Sequence, residues 1–429
     1  MEDLRNRGKW FPDFSRDLRA IPARTTPNAA APTLGLANLP HANNFLAAPA
    51  PPDGRNDLMP STFSFPTTTI FEAGARRHLR SSLSQFAVAR PLIVTDPGLA
   101  KTNAFEFLAA SLVGISAPVF SGVHPNPEES DVEEAFRAFR ENACDSVIGF
   151  GGGSAIDVAK AVRLRIKRPE QTLERFNYSE DWSGLAPLIA IPTTAGTGSE
   201  VGRSAVIIMG GRKRVFFHPS LLAALVILDP ELTRGLPANL TAATGADALT
   251  HCIESFTSPV FHPLCDGIAL EGIHLISGAL PRAVNEGGDL EARGLMQVAA
   301  AMGGIAFQKD LGATHSLAHP LSSLCGLHHG LANALCLPFV MEFNSARKSG
   351  LYHRIGIALG LRDTSDSATI AAVRELLMQI GLAPGLRNHG VDESKLDALA
   401  DQAFADSCHA TNPVPVTRDD LRALYQLAL

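Results

Sequence analysis

The chain has 429 residues, 45% of them hydrophobic, which is enough for two packed cores and past the length at which a single core ordinarily splits. Its 37 Lys and Arg against 43 Asp and Glu give a formal charge of -6 and no broad basic field, which sets nucleic-acid binding aside. No stretch reaches the ~18 uninterrupted apolar residues of a membrane-spanning helix, and six scattered cysteines without a C-x-x-C pair read as reduced thiols of a cytoplasmic protein rather than as a disulfide framework.

Residues 1–60 are rich in Pro, Ala and Asn and show neither helical nor strand periodicity, so they are expected to form a disordered extension. Acids (Glu2, Asp3, Asp13, Asp17) alternate there with Arg5, Arg7, Arg16 and Arg19, unlike an acid-poor transit peptide. Over 61–234, short apolar runs alternate with amphipathic stretches, the pattern of a parallel α/β sheet with crossover helices. Strands are expected at 91–94, 146–150, 188–191, 205–209 and 224–228, and Ser130-x-x-Glu133 reads as a capping box. After Asp229-Pro230, β-branched runs fade and Ala, Leu and Gly recur at helical spacing, predicting an all-helical domain over 235–429. Small residues at Gly278-Ala279 and Ala299 to Gly304 point to close helix packing, and Thr417-x-x-Asp420 caps a last amphipathic helix.

The chemistry-bearing residues fall into two groups. Gly149-Phe-Gly-Gly-Gly-Ser154 follows a strand and opens a helix, so bare backbone and a helix N-terminus can meet a pyrophosphate. It lacks the third glycine of G-x-G-x-x-G, and alone it is as compatible with a tight structural turn. A second polar, glycine-spaced loop, Pro192 to Glu200, follows another strand, and two such loops at strand C-terminal ends make a crevice for a nucleotide. Asp96, ending a further strand, could accept the hydroxyls of an adenine ribose and repel a 2′-phosphate.

In the second group, Asp247 and His251 lie four apart and share one helical face, and His315, His319, His328 and His329 crowd into fifteen residues of small apolar sequence. Imidazole and carboxylate suit Zn(II) or Fe(II), and buried unpaired imidazoles would be costly. Spacing does not decide which histidines bind: His315 and His319 share a face but Pro320 could bend the segment, and His328 and His329 diverge, so only one of them is expected to be a ligand.

In this order the residues resemble the iron-containing, or group III, alcohol dehydrogenases, related more distantly to glycerol dehydrogenase and dehydroquinate synthase. The resemblance runs from about Phe63 to the C-terminus and rests on Gly151 to Lys160, Pro192 to Glu200, Gly245 to His251 and His315 to Leu321. It implies a Rossmann-like parallel-sheet domain followed by a helical domain, the dehydroquinate synthase-like architecture, with the site in the cleft between them and a homodimer or larger assembly. It further implies metal ligands at Asp247, His251, His315 and His329, and His319 as a pocket histidine with a catalytic role. Cofactor contacts are implied at Asp96, Asn126, Gly152, Gly153, Ser154, Thr193, Thr194 and Lys213, with Asp157 in the same glycine-loop motif. The activity implied is hydride transfer between an alcohol or aldehyde and NAD, alternatively NADP, with Fe(II), alternatively Zn(II). A hydroxyacid–oxoacid transhydrogenase and a non-redox metal enzyme are the alternatives on this fold. Departures from the family pattern at Asp310, Cys325 and His328 are expected to border the substrate pocket.

Overall fold

The computed structural model describes Phe65 and residues 67–429, so the expected extension over 1–60 lies outside the described residues. The strands are Thr69–Phe71 (β1), Pro91–Val94 (β2), Val119–Phe120 (β3), Ser146–Gly151 (β4), Leu188–Pro192 (β5), Ser204–Met209 (β6), Arg212–Phe217 (β7) and Leu225–Leu228 (β8). Six of them form a parallel sheet in the order β1-β8-β5-β4-β2-β3. Strands β2, β4, β5 and β8 are buried along their whole length, which is why they read as continuous apolar runs. Helices Leu79–Gln85 (α1) and Asn103–Ser111 (α2) cover one face through Leu79, Leu83 and Leu108. Helices Glu129–Glu141 (α3) and Gly153–Lys167 (α4) cover the other through Val132, Phe136, Ile156 and Val162.

Two local expectations are corrected. The predicted strand at 205–209 exists as β6, but it leaves the sheet and pairs antiparallel with β7 across Gly210-Gly211. Both glycines have positive φ (56° and 76°), the conformation a two-residue hairpin needs. The capping box of α3 is formed by Glu128 and Asp131, not Ser130 and Glu133. Ser130 lies inside the first turn, and Glu133 is drawn off to bind the Arg165 guanidinium.

From Ala238 onward the described chain is helical, as expected: Ala238–Thr257 (α5), Pro263–Asn285 (α6), Leu290–Ala306 (α7), Ala313–Cys325 (α8), His329–Arg347 (α9), His353–Ala358 (α10), Asp366–Gln379 (α11), Leu396–Ala405 (α12) and Arg418–Ala428 (α13). The Thr417–Asp420 box opens α13. Pro320 does not end α8, which continues through it to Cys325.

Close packing on small residues occurs, though not everywhere the sequence indicated. A Cβ on Gly330 would lie 2.0 Å from the Ala243 carbonyl oxygen and 3.1 Å from the Asp247 Cβ, so α9 crosses α5 with backbone nearly against backbone. Gly304 of α7 meets Gly198 of the second polar loop in the same way, at 2.6 Å to the Gly198 carbonyl oxygen. Gly278, by contrast, is exposed and a Cβ there would touch nothing, so Ala279 alone serves the core at that point. Replacing Gly330 by Ala is therefore expected to lower stability by about 2 kcal/mol or more through overpacking. Gly278→Ala should leave it unchanged or raise it by up to about 1 kcal/mol through helix propensity. Thermal unfolding of both variants checks the contrast.

Candidate active site

The sheet order positions the nucleotide residues. From β2 the chain steps outward to β3 and then crosses back to β4 on the opposite side of β2, so the loops after β2 and β4 diverge and leave a crevice at their C-terminal ends. Asp96 follows β2. Its Oδ1 accepts from the amides of Gly98 and Leu99 at 2.9 and 2.8 Å, and its Oδ2 would lie 3.8 Å from a Cβ on Gly151 in the glycine loop. Gly151 has φ 149°, and Gly152 and Gly153 run into α4, aiming that helix's first amides at the crevice.

The other implied contacts gather around this loop. Thr194 would lie 3.5 Å from a Cβ on Gly152, the Thr193 amide donates to the Gly151 carbonyl at 3.0 Å, and Ser154 Oγ donates to the Pro125 carbonyl at 2.6 Å. That last bond draws the turn carrying Asn126 over the loop. Asp157 and Lys160 find their hydrogen-bond partners within the protein. Asp157 accepts from Ser199 Oγ at 2.6 Å and from the Val206 amide at 3.1 Å. Lys160 Nζ donates to the Ser199 and Ser204 carbonyls at 2.6 and 2.7 Å, and burial pulls its ammonium down to about 8. The two residues brace the second polar loop and the β6–β7 hairpin from behind. Burial lowers the Lys213 ammonium on β7, and the Asp247, Asp157 and Asp406 carboxylates oppose that.

The histidines converge on one carboxylate oxygen. Asp247 and His251 come from consecutive turns of α5, His315 from the first turn of α8 and His329 from the start of α9. The Nε2 atoms of His251, His315 and His329 lie 3.8, 3.8 and 3.5 Å from Asp247 Oδ1. Four ligands at the ~2.1 Å of a zinc- or iron-type bond, arranged tetrahedrally, would be about 3.4 Å apart, close to the spacing of each imidazole from Asp247; the donor atoms of Asp247, His251 and His315 lie within 4.8 Å of one another, and His329 stands outside that tighter group. The chemistry of the set agrees. Asp247, His251 and His315 are buried, and among the described residues no Lys or Arg bonds the carboxylate.

Burial works to raise the Asp247 carboxyl, but His251, His329 and His315 overcome it and hold it well below the usual range. Burial pushes His251 down to about 4 and His329 well below its ordinary value, so both rings are neutral and offer lone pairs. Burial acts the same way on His315, yet its bonds to Asp247 and Glu254 prevail and hold it up at about 9. His328 is exposed at the N-cap of α9, and of the adjacent pair it is His329 whose Nε2 lies near Asp247.

His319, one turn beyond His315, stacks on His329 with ring centroids 5.3 Å apart, and its Nδ1 lies 2.8 Å from Asp406 Oδ2. The ring is 29% exposed. Asp406 is itself held by Ser316 Oγ and the Cys408 amide, both at 2.9 Å. Sequence reasoning gave no role to Asp406, Cys408 or Glu254, and it placed Phe307 only in a segment beside the pocket, whereas the ring lies 5.4 Å from His251. Glu254 was visible as the next acid on the Asp247–His251 helix, whereas nothing in the spacing ties Asp406 to a histidine 87 residues earlier. Cys325 is half-buried and packs against the core between α8 and the last helices.

Family models match both halves of the chain: one described as iron-containing alcohol dehydrogenase over residues 66–230, and one as the C-terminal part of the Fe-containing alcohol dehydrogenase family over 241–429. The chain belongs to the iron-containing alcohol dehydrogenase family. It is 40% identical over 371 residues to a 4-hydroxybutyrate dehydrogenase of Cupriavidus necator, covering 83% of this chain and 96% of that protein. Among solved structures it resembles a 1,3-propanediol oxidoreductase, with TM-score 0.83 and 32% identity over 86% of this chain and all (100%) of the other. It also resembles a sulfoacetaldehyde reductase from Bifidobacterium kashiwanohense in complex with NAD+, with TM-score 0.80 and 28% identity over 86% and 99% of the two chains. Family membership makes the chain a metal-dependent, NAD-linked oxidoreductase acting on CH–OH groups.

A test of the nucleotide loop follows from its packing. A Cβ on Gly153 would meet Thr197 at 2.8 Å and push the two loops apart. Gly153→Ala is expected to weaken NADH binding at least about tenfold, equivalent to about 1.4 kcal/mol, without changing metal content. Fluorescence titration and elemental analysis of the same preparation check both halves.

Proposed function

We propose that this alcohol dehydrogenase interconverts a short-chain primary alcohol and its aldehyde using NAD(H), with Asp247, His251, His315 and His329 holding an Fe(II) ion. The observation that carries the assignment is the convergence of three imidazole nitrogens on one buried carboxylate oxygen beside the nucleotide crevice. The donor set accommodates Zn(II) as well, and iron is chosen on family membership. The named substrates of the relatives, 4-hydroxybutyrate, 1,3-propanediol and sulfoacetaldehyde, are all short chains ending in a primary alcohol or aldehyde.

Bound at the site, the ion supplies Lewis acidity toward an oxygen and the nicotinamide supplies a hydride acceptor. The protein's part is to hold and orient. The amides of the glycine loop and α4 receive the pyrophosphate, and Asp96 Oδ2 receives ribose hydroxyls and disfavours a 2′-phosphate. Asn126, Thr193, Thr194 and Lys213 close around the nucleotide, and Asp157 and Lys160 keep their loops in place. Asp406 holds His319 with Nδ1 as donor, so Nε2 is left as acceptor for the proton of the alcohol. We further infer a cytoplasmic setting, in keeping with six unpaired cysteines, and assembly as a homodimer or larger, as the family resemblance implies.

The deciding experiment is anaerobic NADH and NADPH oxidation against a panel of aldehydes and 2-oxo acids, with enzyme stripped of metal and then reloaded with Fe(II) or Zn(II). Stripped enzyme should be inactive, and Fe(II) should restore turnover with NADH and an aldehyde. Asp247→Ala should neither retain metal nor recover, while still binding NADH. Turnover that persists in stripped enzyme would overturn the assignment. Reduction of 2-oxo acids only by a hydroxy-acid donor, without free NADH, would identify a transhydrogenase instead.

A further inference from the structure

Glu254 is a buried carboxylate, 5% exposed, on the same helix as Asp247 and His251. Its Oε2 lies 2.6 Å from His315 Nδ1 and accepts from the Gly312 amide at 3.1 Å, while Oε1 accepts from the Thr314 amide at 2.6 Å. These three groups are its hydrogen-bond partners among the described residues, and none is a Lys or Arg. The approach is tight enough that a Cβ on Gly312 would lie 2.8 Å from Oε1. Glu254 thus joins α5 to the beginning of α8 and fixes one face of a histidine whose other face meets Asp247.

We propose that Glu254 is the positioning residue of the metal centre: it holds His315 in the Nδ1–H form, so that the Nε2 lone pair points at the ion, and it supplies the second negative charge that balances a divalent cation. The inference rests on the four-ligand reading above. With an ion held on Nε2 the imidazole would carry a single N–H, and a bond of 2.6 Å to a carboxylate places that hydrogen on Nδ1. Nε2 is then the lone-pair nitrogen, and it is the atom that lies 3.8 Å from Asp247 Oδ1. Two buried carboxylates, Asp247 and Glu254, flank His315 without a bonded Lys or Arg, and two positive charges on an ion neutralise them together.

The test uses the full chain loaded with Zn(II) or Co(II). Metal affinity is measured by chelator competition for wild type, His315→Ala and Glu254→Gln, and the Co(II) absorption spectrum is recorded for each. Glutamine keeps the volume but replaces one acceptor oxygen by an NH2 group that meets a backbone amide, and it removes the charge. Glu254→Gln is expected to bind about 10–100-fold more weakly, with an altered Co(II) spectrum and unchanged NADH affinity. If His315→Ala loses metal while Glu254→Gln retains wild-type affinity and spectrum, the positioning role is overturned and the ligand set stands. If His315→Ala binds as wild type, the ligand set fails and this inference with it. Should Glu254→Gln not fold, 15N–1H correlation of histidine-labelled, Zn-loaded wild type decides: Nδ1–H at His315 is expected, and Nε2–H overturns the proposal.

Discussion

The site depends on how closely α9 approaches α5. Asp247 is anchored in the middle of a twenty-residue buried helix, and His329 is the first residue of another, so only the distance between the two backbones brings their side chains together. Gly330, immediately after His329, removes the one side chain that would keep them apart, and the Asp247 Cβ is among its nearest neighbours. The contact that packs the helices is therefore the contact that sets the ligand geometry. Rigid helices rather than loops then carry each ligand, which holds the donors around one carboxylate oxygen.

Charge explains why so costly a cluster persists in an apolar interior. Two carboxylates, Asp247 and Glu254, are buried among Ala, Leu and Cys side chains, and among the described residues no Lys or Arg is bonded to either. Isolated, each would cost several kcal/mol. Hydrogen bonds from Thr314, Gly312 and Asn333, the last at 2.8 Å to Asp247, offset part of that cost, and the histidines offset more. A set so rich in acceptors and neutral imidazoles is better matched to a cation than to any internal pairing, and the divalent charge closes the balance.

Much of this was legible in the sequence because the helices and strands obey local rules. The i, i+4 spacing of Asp247 and His251 placed both on one face, and the continuous apolar runs at Pro91–Val94 and Leu188–Pro192 marked fully buried strands. What failed locally failed for long-range reasons. Ser204–Met209 has strand composition, but whether it joins the sheet or folds on Arg212–Phe217 is decided by the Gly210-Gly211 turn and by the Pro127–Ile208 bond, which lie outside its own pattern. The Asp406–His319 contact spans 87 positions and leaves no periodic trace. The choice among four histidines needed the crossing of α5 with α9, which no spacing along one helix encodes.

A further irregularity lies beside the helices that carry the histidines. Between α7 and α8, Asp310 adopts φ 61° and ψ -176°, a region that suits glycine and costs other residues of order 1–3 kcal/mol. The next residues are tied across to the C-terminal segment by Thr411 Oγ1 on the Leu311 carbonyl and Asn412 Oδ1 on the Ala313 amide. Phe307 leans on His251 and Asp406 holds His319, so the same two segments touch both the ligand cluster and the pocket histidine. The ion-holding and nucleotide-holding parts are built from long buried elements that tolerate little change. The segments beside them are short, with one strained residue at Asp310 and a few polar bonds across to the C-terminal segment. Such a division lets one reaction be kept while the substrate varies, which is why the chemistry is readable from motifs and the substrate is not.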